Sequence, residues 1–217
     1  MKNLVIYGKL FLDVIKLIDA INRENPQWNF LGFLDDNKET HGEIVMGYPV
    51  LGGREVIPEL NEDGNTYFFS CVSSHWSKSE YIAGVLDSYN CKVPNLIHPA
   101  VDMNYVKIGR GCIIPEGCVI GGHAQIGSFV TVRLRALISH HVKIYDHAFI
   151  GPGSILGSNV AVKKGGFIGA GVTVMLNRVI GEKSVVGAGA LVTRDVPAGK
   201  TVAGVPAKIF EKKCREE

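Results

Sequence analysis

The chain has 217 residues, of which 46% are hydrophobic, and a formal net charge of +2. This hydrophobic content allows a substantial buried core, and a net charge so near zero gives no support to a nucleic-acid partner. No apolar run approaches the roughly 18 residues of a membrane helix, and the N-terminus enters a strand directly, so we expect a cytoplasmic protein without a membrane span.

The first hundred residues alternate predicted strands with predicted helices. The hydrophobic pattern predicts strands at 3–7, 30–34, 46–50, 66–72 and 92–96, and helices at 10–22, 54–60 and 78–89. Alternation of this kind is typical of a small Rossmann-like parallel sheet. We therefore assign residues 1–97 to an N-terminal α/β domain.

The carboxyl ends of those predicted strands carry candidate ligand contacts, because ligands of parallel α/β sheets bind there. The first strand ends at Gly8, where a backbone turn could approach a phosphate. The second ends at Asp35 and Asp36, which are well placed to contact a ribose or a base, and a later one ends at Ser73 and Ser74. The turn at Gly8 has one glycine where a dinucleotide fingerprint has three. A solvated turn is the alternative interpretation for the aspartates and the serines.

The second half of the chain has a period of six. An aliphatic residue occupies every sixth position from Ile108 to Val192, fifteen times without a skip. Neither a strand nor a helix has this period, whereas a parallel β-helix does, because each short strand points one aliphatic side chain inward before the chain turns a corner. Three hexapeptides close one triangular coil of eighteen residues. We predict an all-β left-handed parallel β-helix over residues 98–195 and a C-terminal tail over 196–217.

The positions beside this aliphatic ladder agree with the prediction. Glycine follows the aliphatic residue in eight repeats, as expected where a corner needs positive φ or close backbone approach. Mostly small residues stand two positions before it, and Cys112 and Cys118 are among them. We interpret both thiols as buried apolar filler. The five cysteines form no metal-spaced cluster, so no metal site is expected.

Two short motifs flank the repeats. Ile97-His98-Pro99 precedes them, and Gly204-Val205-Pro206-Ala207-Lys208 closes them. Together with the α/β domain and the hexapeptides, these motifs resemble the bacterial sugar acyltransferases of the sialic acid O-acetyltransferase and UDP-4-amino-sugar N-acetyltransferase (bacillosamine pathway) family. The resemblance implies a homotrimer with active sites between subunits. It also implies a nucleotide-linked amino sugar at the N-terminal domain and acetyl-CoA, the acyl donor, along the prism groove.

The resemblance implies catalytic residues as well. The family's catalytic histidine aligns with His140, the candidate base, and His141 stands where the family has the acid that holds the imidazole. Ser139 replaces the acid before the histidine. Arg133 replaces an asparagine of the preceding repeat and is a candidate for a substrate phosphate or carboxylate, with interface pairing or a solvated edge as the alternative.

For the acyl donor, the resemblance brings Phe149, Ala170 and Ala188 to contact positions. Phe149 stands where the family has a donor-contacting histidine. Gly169 and Gly187 would leave the backbone open to the pantetheine arm, and Lys208 is a candidate partner for a CoA phosphate or a solvated side chain.

Other histidines are weaker candidates. His123 and His141 are eighteen residues apart, so we expect them to stack in one corner of adjacent coils, and His147 occupies a corresponding corner on another face.

We therefore predict an acyl-CoA-dependent N-acyltransferase for a nucleotide-linked amino sugar of surface polysaccharide or glycan biosynthesis. An amine acceptor needs less help from a base than a hydroxyl does, and His140 has no adjacent carboxylate in sequence to raise its basicity. An O-acetyltransferase of sialic or related sugars is one alternative. A non-catalytic scaffold that keeps only the trimer is another.

Overall fold

The structure is a computed structural model that describes residues 1–8, 13–72 and 75–210. Its amino-terminal part alternates strands with helices. The elements are β1 (Lys2–Tyr7), α1 (Asp13–Glu24), β2 (Trp28–Leu34), a 3-10 turn (Lys38–Thr40), β3 (Ile44–Val45), β4 (Tyr48–Gly52), a second 3-10 turn (Arg54–Val56), α2 (Ile57–Leu60), β5 (Thr66–Ser70) and α3 (Trp76–Ser88). Residues 10–12 of the first predicted helix lie outside the described residues.

The strands β1 to β5 form one sheet in the order β3-β4-β2-β1-β5. β1 pairs in parallel with β2 and β5, and β2 pairs in parallel with β4, as expected of strands alternating with helices. β3 is antiparallel to β4. Met46 and Gly47 form the turn between them with positive φ at both residues, which a tight two-residue hairpin requires.

The apolar stripe of α1 covers one side of this sheet. Val14, Leu17 and Ile18 recur at the helical spacing of three and four residues, and they pack with Leu4 of β1 and Phe33 of β2. The packing fixes the start of α1, and therefore Asp13, beside the carboxyl edge of the sheet.

Two predicted elements differ in the structure. The predicted helix at 54–60 is divided into a 3-10 turn and α2, with Pro58 in the first turn of α2. The predicted strand at 92–96 is absent: Lys92 makes an isolated bridge to Tyr67, and Leu96–Ile97 pairs with Ile113–Ile114 of the second half instead. Pro94 explains the break, because proline has no N–H to donate to a strand ladder.

The second half is a triangular prism with three parallel faces. The first face consists of Lys107–Ile108, Gln125–Ile126, Lys143–Ile144, Ala161–Val162 and Val179–Ile180. The second consists of Leu96–Ile97, Ile113–Ile114, Thr131–Val132, Phe149–Ile150, Phe167–Ile168, Val185–Val186, Thr201–Ala203 and the antiparallel Lys208–Ile209. The third consists of Val119–Ile120, Leu137–Ile138, Ile155–Leu156, Thr173–Val174 and Leu191–Val192.

The predicted eighteen-residue coil is confirmed by the strand register. Gln125 pairs with Lys143 and Lys143 pairs with Ala161, each eighteen residues further along the chain. The aliphatic ladder points inward and forms one continuous core with the small residues before it. Cys112 and Cys118 belong to that core, as predicted.

The corners explain the glycine pattern. Three residues after the inward aliphatic residue the backbone takes positive φ, at His141 for example, with φ 61°. The glycines directly after the aliphatic residue serve the other expected purpose, close approach. A Cβ on Gly121 would lie 2.5 Å from the backbone nitrogen of His140 in the next coil. We name the corners by order along the coil: the first joins faces one and two, the second joins faces two and three, and the third joins faces three and one.

The described part of the predicted C-terminal tail continues the second face. Thr201–Ala203 pairs with Val185–Val186, and Lys208–Ile209 returns antiparallel beside it. Residues 211–217 lie outside the described residues. Within the described part of the chain, no helix is long and apolar enough to cross a membrane.

The α/β part packs on the first coils of the prism. Ile113 of the second face is buried in the same cluster as α1 and β1, and Phe129 of the first corner joins the cluster on the other side of the sheet. Ion pairs join α3 to the first corner: Lys164 Nζ lies 2.6 Å from Glu80 Oε1, and Arg110 Nη2 lies 2.6 Å from Asp87 Oδ1.

Candidate functional site

A group of histidines occupies the third corner. His141 stacks on His123 of the previous coil with ring centroids 5.0 Å apart, as the eighteen-residue spacing predicts. His140 is exposed beside them. Its Nδ1 lies 2.9 Å from Nδ1 of His141, and its Nε2 lies 2.8 Å from Oγ of Ser158 in the next coil.

These contacts orient the His140 ring at both nitrogens. A neutral imidazole has one N–H donor and one acceptor, so two arrangements of protons satisfy both contacts. In one of them His140 donates from Nδ1 to His141, and its Nε2 accepts from the Ser158 hydroxyl. In that arrangement the Nε2 lone pair is occupied by the Ser158 hydroxyl, which has to turn away before Nε2 can accept a proton from another group.

A second group lies at the carboxyl edge of the sheet in the α/β part. The Tyr7 hydroxyl donates to Asp36 Oδ1 at 2.6 Å, and Arg54 Nη2 lies 3.4 Å from Asp36 Oδ2. Burial raises the pKa of the Tyr7 phenol, and its hydrogen bond to Asp36 adds to the rise, so Tyr7 remains a donor. Asp36 is therefore held as an oriented carboxylate at the end of β2.

The neighbouring candidates Gly8 and Asp35 have backbone roles. Gly8 has φ +95°, and a Cβ there would lie 2.8 Å from Cγ2 of Val72, so only glycine fits this turn. Asp35 accepts a hydrogen bond from the backbone of Asn37 at 3.0 Å, an Asx turn that orients the segment after β2. Ser73 and Ser74 lie outside the described residues.

Arg133 reaches this same edge from the second corner of the prism. Its Nη2 lies 3.9 Å from Asp13 Oδ2 at the start of α1, and its guanidinium is close enough to Cys71 to interact electrostatically. Burial lowers the pKa of Arg133 while Asp13 opposes the change, and arginine nevertheless stays protonated in proteins. The edge therefore carries a half-buried cation directed towards the α/β part.

The donor-site candidates Gly169, Ala170, Gly187 and Ala188 form a column at the second corner. Ala170 and Ala188 are exposed, and Gly169 is buried. A Cβ on Gly169 would lie 2.6 Å from the backbone nitrogen of Ala188, so this glycine is required for the stacking of coils. Lys208 is exposed on the strand that ends the second face.

Phe149 points outward from the second face. Its ring stacks on Phe167 of the next coil, with centroids 4.6 Å apart and planes 5° apart. Together they line a cavity of about 260 Å³ that Trp76 of α3 and His147 of the first corner also border. Burial lowers the pKa of His147, and Ser79 Oγ lies 3.0 Å from its Nδ1.

Within one chain these groups occupy separate places. The structure brings Gly8, Asp36 and Arg133 to one edge of the α/β part, and it brings His140, His141 and Ser158 to the third corner. The donor-site column lies at the second corner, across the third face from His140.

Ser158, Tyr7 and Trp76 are among the residues of these groups that sequence reasoning missed. Ser158 is eighteen residues after His140, so the coil period alone could have found it. Tyr7 and Trp76 carry no such signal, because their partners come from other elements. Among the described residues, no group of three or more histidines, cysteines and acids is arranged to hold a metal ion.

Solved structures that match almost the whole chain include two enzymes that bind CoA or acetyl coenzyme A. PerB from Caulobacter crescentus, solved in complex with CoA and GDP-perosamine, superimposes with a TM-score of 0.85 at 26% sequence identity, over 97% of this chain and 98% of that one. The acetyltransferase domain of PglB from Neisseria gonorrhoeae, solved in complex with acetyl coenzyme A, has a TM-score of 0.86 at 26% identity, over 96% and 99% of the two chains. The structural neighbours of this chain are sugar N-acetyltransferases of the hexapeptide-repeat family.

The resemblance predicted from the sequence is therefore confirmed at the level of the family. The match extends over both halves of the chain, so it includes the α/β part as well as the prism. No protein-family model matches the sequence, and no curated protein does.

Proposed function

We propose that this protein transfers an acyl group from acyl-CoA to the amine of a nucleotide-linked amino sugar. The observation that carries the proposal is the near-complete superposition on PerB, whose structure contains CoA and GDP-perosamine. The acceptor is a building block of a surface polysaccharide or another glycan. Because both co-substrates are cytoplasmic metabolites, we place the reaction in the cytoplasm.

The α/β part is proposed as the acceptor site. Asp36 offers a fixed carboxylate for a ribose or base, and Gly8 offers a turn at which the backbone can approach a phosphate. Arg133 adds a half-buried positive charge at the same edge. A nucleotide diphosphate carries the opposite charge, and a planar guanidinium suits it. Ser73 and Ser74 remain candidates by sequence alone.

His140 is proposed as the proton acceptor. The amine attacks the acyl carbon of the thioester, the C–S bond breaks so that CoA leaves as its thiolate, and the amine loses a proton. Nε2 of His140 can accept it once the Ser158 hydroxyl turns away, while His141 holds the ring through Nδ1. Neither of these two contacts is a carboxylate, so neither brings a negative charge to the ring. This favours an amine over a hydroxyl acceptor, and hence N-acylation over O-acetylation.

We further propose a homotrimer with sites between subunits. His140 and the donor column at Ala170 and Ala188 lie at different corners of one prism, so a site that unites them takes them from two chains. The third face supplies a surface for that contact, because Val119, Leu137 and Ile155 point outward from it and are 59%, 37% and 43% exposed. Exposed apolar side chains in a row mark an association surface.

The proposal extends to two finer points of the fold. The prism is taken to coil left-handedly, and the α/β part to be a Rossmann-like module for the nucleotide sugar. We place the boundary between the two at residue 95 rather than 97, because Leu96–Ile97 pairs within the prism.

The experiment is an assay of CoA release with a thiol reagent. Acetyl-CoA is offered with a panel of GDP-, UDP- and dTDP-linked amino sugars, and in parallel with the matching hydroxy sugars. Release that requires an amino sugar is the expected result. Release with hydroxy sugars alone would instead establish an O-acetyltransferase, and no release together with no CoA binding would establish a scaffold.

A further inference from the structure

The cavity beside Phe149 has two apolar walls. Phe149, Phe167 and Val185 come from consecutive coils of the second face and form one wall, since their strands pair in register. Trp76, at the start of α3, lines the same cavity and is its second apolar wall. None of the described residues that line the cavity is acidic. The space between the walls is about 260 Å³.

Both walls are rigid. The rings of Phe149 and Phe167 are parallel and stacked, and coil spacing fixes their separation. Trp76 packs against Gly165, where a Cβ would lie 2.9 Å from the Trp76 Cβ, so a larger residue there would displace the indole. Lys183, which also lines the cavity, places its Nζ 4.4 Å from the centre of the Trp76 ring. A cavity with walls fixed in this way is formed before any ligand enters it.

The cavity adjoins the proposed donor site. The strands that carry Phe167 and Val185 run directly into Gly169 and Gly187, whose neighbours Ala170 and Ala188 are exposed at the second corner. If the pantetheine arm of an acyl-CoA follows that corner, its thioester lies beside the outward face of these strands. The acyl chain is the apolar part of such a ligand.

We infer that the cavity between Trp76 and the Phe149–Phe167–Val185 wall receives the acyl chain of the donor and selects a chain longer than acetyl, such as butanoyl. This inference rests on the proposed function and names its donor class. An acetyl group offers one methyl to an apolar space of this size, whereas a butanoyl group adds two methylenes that the walls can bury. The cavity is smaller than the roughly 300–1,000 Å³ of sites for drug-sized ligands, which favours a short chain.

His147 is a half-buried polar residue at the side of the cavity. Burial lowers the pKa of this imidazole, its Nδ1 is held by Ser79, and its ring stacks on Phe129 with centroids 5.5 Å apart. Among the described lining residues, the other titratable groups are His75 and Lys183, both exposed. A neutral ring in this position is compatible with an uncharged acyl chain.

Calorimetric titration of the full-length protein with acetyl-CoA and with butanoyl-CoA tests the inference. We expect butanoyl-CoA to bind on the order of tenfold more tightly, the gain for burying two methylenes. In Val185→Phe, which fills the cavity, the ratio of the two affinities should fall to about one. Val179→Phe is the matched control, because Val179 begins a strand of the first face and lies outside the cavity; its ratio should equal that of the wild type.

Fluorescence gives a second measurement that needs no folded Val185 variant. Butanoyl-CoA should change the emission of Trp76 more than acetyl-CoA does, and Trp76→Phe should abolish the difference. Equal affinities and equal emission changes for the two donors, in a protein that binds both, would overturn the inference and leave the proposed function intact. Absence of binding by any acyl-CoA would overturn both.

Discussion

Nδ1 of His140 and Nδ1 of His141 lie 2.9 Å apart, so two adjacent imidazoles share one hydrogen bond at the proposed catalytic corner. The family resemblance implies an acid in the place of His141. A carboxylate would hold the ring and also stabilise its protonated form by charge, whereas a neutral imidazole holds the ring only. We therefore propose His141 as a positioning residue and His140 as the group that takes the proton.

Substitution by asparagine separates these two roles. His141 has φ 61°, and Asn159 and Asn177 occupy corresponding corners with φ 60° and 59°, so His141→Asn should keep the backbone. We expect it to lower kcat on the order of tenfold with little change in KM for acyl-CoA. His140→Asn removes the acceptor and should lower kcat by about 10²–10⁴.

His123→Asn is the control for that comparison, because His123 has φ 60° and stacks on His141 without contacting His140 in the described hydrogen bonds. It should retain most of the wild-type kcat. If His141→Asn and the wild type had the same kcat and the same pH profile, the positioning role would be wrong.

His147 should make stability depend on pH. Burial lowers its pKa below the value of 6.5 that it has when exposed, so the unfolded chain binds a proton at a pH where the folded chain does not. As pH falls from about 6.5 towards the lower folded-state pKa, the free energy of unfolding should decrease, and above that window His147 should contribute no pH dependence. Thermal unfolding of His147→Asn, compared with the wild type between pH 8 and pH 5, should show a smaller decrease over this window. An identical decrease in both proteins would contradict this role of His147.

The sequence predicted the prism more completely than the site, for a physical reason. A period of eighteen residues specifies which side chains stack, and it correctly placed His123 under His141. The same period of eighteen residues places Ser158 in the coil after His140. In contrast, the contact of Trp76 with Gly165 depends on how α3 packs against the prism, and no local pattern encodes that packing. The strand predicted at 92–96 was also wrong, because Leu96 pairs with Ile113 of the prism.

Arg133 should affect acceptor binding rather than the chemical step. Its guanidinium is half-buried at the edge that carries Asp36 and Gly8, and Asp13 lies 3.9 Å from it. Arg133→Met keeps much of the apolar stem and removes the charge. We expect KM for the nucleotide sugar to rise on the order of tenfold, because one charged contact to a phosphate is lost. KM for acyl-CoA should not change. An equal rise in both KM values would instead indicate damage to the prism.

Gly169 provides a test of coil stacking. A Cβ there would lie 2.6 Å from the backbone nitrogen of Ala188, which cannot move without shifting a coil. Gly169→Ala should lower the free energy of unfolding by about 1–3 kcal/mol, the usual cost of overpacking. Gly84→Ala is the control, since Gly84 is exposed in α3 with nothing within 4 Å of its added Cβ, and alanine favours a helix. In urea unfolding, Gly169→Ala should lower the free energy of unfolding and Gly84→Ala should raise it. Equal stability of Gly169→Ala and the wild type would mean that this glycine is not needed for packing.

The third face makes the trimer testable. Leu137 points outward from the second of the five strands of that face and is 37% exposed, between Val119 and Ile155 in the neighbouring coils. If this face is covered by another subunit, Leu137→Glu places a carboxylate in an apolar interface, where burial of an unpaired charge is costly. Light scattering should then report monomers, and acyl transfer should be lost because His140 no longer meets the donor column of its neighbour. Gln125→Glu, at the corresponding position of the polar first face, adds the same charge and should leave both the mass and the activity unchanged. A Leu137→Glu protein that keeps the mass of a trimer would show that the subunits meet elsewhere, and a wild-type protein that is monomeric and active would show that one chain holds the complete site.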